Sequence, residues 1–518
     1  MEYDGLILGA GHNGLILQAY LCKAGLNVAC IERRSVAGGG LTTEEHSPGF
    51  LHNTHAFYHR ALTQMPWYRD LELELHGAHY IEPELNVVLL TRDGAALEWW
   101  TDFERTYASF ASFSRRDAGT ARRWREKFIP IVERILTPEA QAPPLPPDQR
   151  RALLSRSAEG RHLLEISQFS PREFVLREFE HPVIQAGLLF FNGLREVDLR
   201  EQGFGHHIPA LLASKGKAQM CRGGSAQLAQ ALVNAVEEAG GQVLLETEPA
   251  EILVEGERVV GIETKEGTRL TARHFVASSL NPQQTFLELI APEALPKAWR
   301  DKAAAFRYNL LAPLFGLYLE LDEAPAYKAT ATYPHLNQAF MMILDLESPA
   351  DFDAIVHHHE IGSMPPTITW GSTPTLFDPS QAPEGKHTAF MWEKLPYAPG
   401  GDPAQWDAIK EEHGRQILSA WTEHAPNLQD VLRESFVRSP LDVERALPNM
   451  RSGDLLGGSF SGDQVGYHRP FAGAGGYRGH LQGLYLCGSS SHPGGNITGL
   501  PGYNCAQVLL ADLGRDPV

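Results

Sequence analysis

Six residues near the start constrain this chain more than any others: Gly9-Ala10-Gly11-His12-Asn13-Gly14 stands between an apolar strand pattern, Tyr3 to Leu8, and an apolar helical pattern, Asn13 to Ala24. In that setting a GxGxxG has a physical use. Gly9 permits a tight turn, Gly11 lets the backbone approach a ligand, and Gly14 lets helix and strand pack closely. An anion then sits at the helix N-terminus, where free N–H groups and the dipole favour it. A second strand pattern, Asn27 to Glu32, completes a βαβ unit, and Glu32 stands 23 positions after Gly9, where a carboxylate accepts hydrogen bonds from an adenosine ribose. The bland alternative is a glycine turn beside a surface glutamate, which the strand, helix and acid together disfavour.

A chain of 518 residues exceeds what one hydrophobic core usually supports, so two interleaved domains are expected. The formal charge of -18, with 63 acidic against 45 basic residues, argues against nucleic acid as a partner. Apolar runs stay short of the roughly 18 residues of a membrane span. The five cysteines form no CxxC pair, so neither a disulfide framework nor a zinc site is suggested and a reducing compartment fits. With no cleaved-signal pattern before the first strand, the cytoplasm is the expected location.

From about Arg60 to Gly216 the pattern turns to mixed helical stretches, interrupted by the proline-rich run Pro138 to Pro147, which reads as a surface connection. A second α/β block follows: a helix from Ser225 to Ala239, a strand Gln242 to Glu246, and strands Ala250 to Val254, Val259 to Thr264 and Phe275 to Ser278 joined by hairpin turns. Between Gln284 and Leu441 strands such as Leu314 to Leu321 and Thr367 to Gly371 alternate with helices such as Trp406 to His424. The end, Leu484 to Leu513, returns to strand, glycine loop and helix.

The βαβ unit alone does not separate FAD from NAD, since both carry an adenosine diphosphate half. A second glycine loop, Arg33 to Thr43, lies just after Glu32, and a nicotinamide domain has no use for it. Gly9 to Gly14, Glu32 and Gly38 to Thr43 resemble the N-terminal signature of FAD-dependent desaturases and related amine-oxidase-like flavoproteins. Arg222-Gly223-Gly224-Ser225 and Glu248-Pro249-Ala250-Glu251-Ile252 resemble the part of that family whose backbone receives the adenine. Gly483 to Asn504 and Asn449 to Pro470, with Gly453-Asp454 and Arg469-Pro470, are similar to the phytoene dehydrogenase-like group.

The resemblance implies an α/β, Rossmann-type FAD-binding domain of the glutathione-reductase/amine-oxidase kind, drawn from 1–60, 217–283 and 442–518. It is interleaved with a mixed α+β substrate domain, 61–216 and 284–441. It implies FAD contacts from Gly9, Gly11, His12, Asn13, Gly14, Glu32, Arg33, Gly39, Gly40, Leu41, Thr42, Pro249, Ala250, Ser278, Gly488, Ser489, Gly499, Leu500 and Pro501. The implied activity is dehydrogenation of an apolar, isoprenoid-like molecule, with electrons passing to oxygen, a quinone or another diffusible acceptor. Gly473 to Gly479 follows no apolar strand and reads as a loop, so bound NADPH is not implied.

Hydride removal by a flavin asks the protein for orientation, dryness and electrostatics rather than a dedicated triad. His492 is the first candidate for a polar group beside the flavin, against simply bonding its own loop. His55 and Tyr58 are candidates for the substrate face, although His52, His55 and His59 could equally form a solvated face. Tyr503 and Asn504 either contact the flavin or cap the last helix. No metal site is expected, because His357-His358-His359 lacks ligand spacing. Arg115 to Lys127, interleaved with Trp124 and Phe128, either docks on anionic lipid or is an ordinary solvated helix face. Amine or alcohol oxidation, redox-neutral isomerisation or saturation, and a non-enzymatic scaffold remain as competing readings. Oligomeric state is left open.

Overall fold

The computed structural model describes residues 2–193 and 197–516, the side chains of 191–193 excepted. The opening strand Glu2–Leu8 lies parallel to Val28–Ile31 on one side and Arg269–Ser278 on the other. Gln242–Leu244 extends the sheet beyond Val28–Ile31; Arg258–Thr264 and Pro249–Glu255 extend it as antiparallel hairpins. Arg269–Ser278 changes partners midway. Its first residues pair with Arg258–Thr264, and Val276 to Ser278 pair in parallel with Leu484–Leu486. Its burial follows suit, half-exposed at the start and fully buried from Phe275 to Ser278, which is why only that apolar end is legible as a strand. The switch seats the last strand of the chain beside the sheet that its first residues began.

A second seven-stranded sheet runs in the order Leu432–Arg438, Leu314–Leu321, His387–Lys394, Thr369–Ser372, Met341–Leu344, Leu85–Leu90, Ala96–Trp100. Leu85–Leu90 and Ala96–Trp100 fall in the stretch expected to be helical; both are buried throughout, so their side chains give no alternating signal. One face packs on helices from Phe103–Phe113 to His207–Ala213 through Trp99, Phe110, Trp124, Phe128, Trp370 and Trp392. The other lies under the helix Trp406–His424 through Phe315, Leu317 and Trp421.

Helix Arg115–Ile131 is capped by Ser114, whose hydroxyl accepts from the Asp117 N–H. It turns Trp124, Phe128 and Ile131 into the core, while Arg116 pairs with Glu180 and Arg122 with Glu104 at 2.6 Å. The aromatic side chains that lipid docking would present outward are therefore buried. The proline-rich run is partly helical: it overlaps Thr137–Ala140, and Pro147 opens Pro147–Leu154 at a position where a missing N–H costs nothing. Among the described residues no helix is long and apolar enough to cross a membrane.

Candidate functional site

At the C-terminal ends of the parallel strands lies a cavity of about 510 Å³. Gly9, Gly11, His12, Asn13, Glu32, Arg33, Gly39, Gly40, Pro249, Ala250 and Ser489 line it. Gly9 turns at φ +89°, a left-handed conformation that glycine adopts at no steric cost. A Cβ on Gly14 would stand 2.2 Å from the Gly9 carbonyl oxygen, so that glycine is dictated by packing inside the protein. Gly11 differs: a Cβ there would meet nothing nearer than Gly39 Cα at 4.0 Å. What a side chain at Gly11 would invade is the cavity itself, a cradle of the kind that a diphosphate backbone needs. The helix His12–Lys23 starts there with no side-chain cap and no acid in its first turn, leaving its N–H groups and positive end for an anion.

Glu32 is buried at the end of its strand, with Oε2 accepting from the Ala10 N–H at 3.1 Å and Oε1 from the Arg34 N–H at 3.0 Å. The carboxylate is thereby oriented, and each oxygen keeps a lone pair for a hydroxyl. The following loop folds back on the first turn. Gly38 N–H donates to Ala10 O at 2.7 Å, and Gly39, at φ +58°, lies so close that a Cβ would be 3.1 Å from Gly11 Cα. The far end of the chain meets the same turn: Asn13 Nδ2 donates to Ser489 Oγ at 3.3 Å, and a Cβ on Gly502 would be 2.2 Å from Asn13 O. Helix Leu500–Asp512 also starts without a side-chain cap, beside His12–Lys23.

Arg469 is fully buried and clamps this region, donating to the carbonyls of Ser489 at 3.0 Å, Gly457 at 2.9 Å and Ser459 at 2.9 Å. Asp454 accepts from the N–H groups of Asn309, Leu456 and Gly458. These are the Gly453-Asp454 and Arg469-Pro470 positions singled out in the sequence, and they act as braces.

A narrow cavity of about 60 Å³ is lined by His55, Tyr58, Trp392, Lys394, Asn496 and Ile497 among others. Tyr58, Lys394, Asn496 and Ile497 also line a larger chamber of about 310 Å³. That chamber is walled by Trp99, Trp100, Phe103, Phe190, Met341 and Trp370, with Arg60, Arg125 and Lys217 among its polar residues. Lys394 is 4% exposed; its Nζ donates to Ala312 O at 3.2 Å and lies 6.0 Å from the Trp370 ring centroid. His55 Nδ1 lies 3.0 Å from Thr54 Oγ1, and its buried Nε2 has no partner among the described residues. Burial, reinforced by Arg438 and Arg34, holds the His55 imidazole down to about 3, so it is neutral.

Several expected residues stand elsewhere. His492 lines none of the three cavities; its Nε2 is 3.0 Å from the Glu139 carbonyl, tying its loop to the helical layer. Ser278 points into the core, 2.7 Å from Thr285 Oγ1, because strand alternation puts the next residue, Ser279, on the cavity. Gly14, Leu41, Thr42, Gly488, Gly499, Leu500 and Pro501 shape the walls from behind without lining the nucleotide cavity. Asn504 donates to Ala140 O and Tyr477 Oη, both at 2.9 Å, and Tyr503 packs edge-on against Tyr20. Gly223 N–H donates to Asp378 and Ser225 N–H to Asn53; Glu248, Pro249 and Ala250 are the part of that block on the nucleotide cavity. His52, His55 and His59 lie on strand and loop, buried, and form no solvated face. Sequence reasoning missed Lys394, Trp370 and Asn496. Lys394 had one signal, a lone cation closing the apolar strand His387–Lys394.

The chain matches the family model described as flavin containing amine oxidoreductase over residues 14–502. It is 31% identical to one of the polypeptides of the limonene dehydrogenase of Castellaniella defragrans, across 99% of this chain and 95% of that one. It is 24% identical to a lycopene-forming phytoene desaturase of Paracoccus sp., across 98% and 97% respectively. Among solved structures, cyclohexylamine oxidase from Brevibacterium oxydans superposes with a TM-score of 0.58 at 14% identity, covering 99% of this chain and 100% of that one.

Proposed function

Because the chain belongs to the family of flavin-containing amine oxidoreductases, and is an FAD-dependent oxidoreductase, we propose that it dehydrogenates a compact isoprenoid or terpenoid. FAD, when bound, supplies the hydride acceptor. Gly9, Gly11, Glu32, Gly39, Gly40, Pro249, Ala250 and Ser489 are the residues that would hold its adenosine diphosphate half. This nucleotide-binding part is drawn from 1–60, 217–283 and 442–518.

The observation that carries the substrate reading is the chamber wall. Its described residues include no carboxylate, while Arg60, Arg125, Lys217 and Lys394 all border it. A protonated amine would meet four cationic side chains and no counter-charge, so amine oxidation is disfavoured. Aromatic rings dominate the inner end: Trp370 stands 6.4 Å from Trp392 and 5.2 Å from Phe190, and Tyr58 is edge-on to Trp392 at 5.7 Å. Such rings exclude water from the reacting C–H bond. Lys394, on the wall common to both cavities, is the group placed to hold or move a proton there. The relatives that act on limonene and phytoene support an isoprenoid over a polar substrate. Electrons then pass to oxygen, a quinone or another diffusible acceptor.

The test is anaerobic photometry of the FAD-loaded protein. Limonene or myrcene is expected to bleach the flavin, and benzylamine or cyclohexylamine to leave it unchanged. Bleaching by the amines alone would overturn the proposal.

A further inference from the structure

The outer part of the chamber carries a feature that hydride removal from a hydrocarbon does not require. Arg60, Arg125 and Lys217 border it together, and all three are half-buried. Arg60 and Lys217 are neighbours across paired strands, with the Ala61 N–H donating to Lys217 O at 2.8 Å and Arg60 opposite Ala218. Arg125 comes from helix Arg115–Ile131 and lies 4.7 Å from the ring centroid of Phe103, another wall residue. Lys217 Nζ donates to the Ser214 carbonyl at 2.8 Å. Glu82 lies near Lys217 but accepts from Gln219 Nε2 at 3.0 Å and does not line the chamber. Burial, with the charges of Arg125 and Arg60, presses the Lys217 ammonium down to about 8.

Three half-buried cations on a chamber wall whose described residues hold no carboxylate repel one another, and an anion arriving among them relieves that repulsion. None of the three borders the narrow cavity, so the cationic end is distinct from the inner end where Tyr58 and Lys394 line both spaces. Size narrows the ligand further. An apolar cavity of about 150 Å³ takes one benzene, so by proportion a chamber of about 310 Å³ takes about twelve carbon atoms. A carotenoid-sized polyene would need about three times that space.

We infer that the chamber takes a short isoprenoid carboxylic acid, its carboxylate held among Arg60, Arg125 and Lys217 and its hydrocarbon part directed toward Tyr58 and Lys394. The inference rests on the chamber being the substrate site of the proposed dehydrogenase. It orients the molecule as well as selecting it, because a guanidinium and an ammonium at one end leave only the apolar end for the aromatic walls.

The experiment is titration of the FAD-loaded protein with geranic acid, methyl geranate and geraniol, followed by perturbation of the flavin spectrum and, anaerobically, by bleaching. Geranic acid is expected to bind at least about tenfold more tightly than its neutral ester, the scale of one charge-assisted hydrogen bond. In Arg125→Gln and Lys217→Gln the ratio of acid to ester affinity falls toward one; a ratio that stays at about tenfold or more in both variants overturns the inference. Equal binding of all three ligands overturns the inference and leaves the dehydrogenase reading standing. Tightest binding of geraniol also overturns it, showing instead a hydroxyl that answers the buried Asn86 Oδ1, which has no partner among the described residues. If none of the three perturbs or bleaches the flavin, and limonene and myrcene do not either, both readings fall.

Discussion

The nucleotide cavity and the aromatic chamber are built from different material. Glycine backbone forms one wall of the first: Gly11 and Gly39 lie where chain passes close to chain, Gly9 and Gly40 beside them, and one helix start supplies the positive end. Side chains wall the second, and they come from strand Ala96–Trp100, helix Arg115–Ile131, strand Thr369–Ser372 and strand His387–Lys394, far apart in sequence. A backbone cradle tolerates almost no added atom, whereas a chamber of side chains can be altered piece by piece. The contrast predicts that substitutions in the cradle act on cofactor retention or folding, and substitutions in the chamber on turnover.

The largest expected effect falls on three buried histidines of the segment His52 to His59. Burial holds His52, His55 and His59 down to about 3 each, below the ordinary imidazole value. Since the unfolded chain takes up protons first, their contribution to stability is complete above about pH 6.5 and is lost as pH falls toward 3. Each histidine loses about 1.6 kcal/mol between about pH 6.5 and 5, so the three together remove about 5 kcal/mol. Calorimetry across that range should show one steep loss, to which His12, His206, His359 and His492, also held down by burial, add, and which His59→Gln lessens by about 1.6 kcal/mol; independent melting of two units would break the comparison.

Next comes Gly14→Val, whose Cβ would stand 2.2 Å from Gly9 O. Destabilisation of about 3 kcal/mol or more is expected, read as loss of folded protein with or without added FAD. Lys394→Met should slow anaerobic flavin reduction by about 100-fold while FAD stays bound. Loss of FAD from that variant would erase the distinction between cradle and chamber. The smallest effect sharpens it most. Gly11→Ala has room within the protein, 4.0 Å from its nearest neighbour, so the apoprotein should melt within about 0.5 kcal/mol of the parent. Its FAD affinity should fall about tenfold or more, because the methyl group occupies ligand space.

Legibility in the sequence follows the same division. Leu314–Leu321 and Trp406–His424 match the expected boundaries, and the opening βαβ unit is displaced by no more than one residue at each end, because turn glycines and apolar periodicity are local signals. Leu85–Leu90 escaped notice because a strand buried on both faces does not alternate. The resemblance implies Ser278, whereas Ser279 lines the cavity, because the strand pattern alone does not say which residue at its end faces it. His492 drew attention through its glycine-rich loop, but its side chain is turned toward Glu139, a contact 353 positions away in sequence. Nothing local marks Trp370 or Lys394 as neighbours of Asn496.

By itself the sequence determined the dinucleotide-binding turn and its acid, since those depend on residues within one supersecondary unit whose backbone conformation is dictated locally; FAD rather than NAD followed from the second glycine loop and the motifs near the end of the chain. Only the tertiary structure decided which side chains line the chamber, where the cations gather and how much room they leave. Those properties come from long-range packing of two sheets and a helical layer, and a side chain's direction across such an interface is set by partners hundreds of residues away.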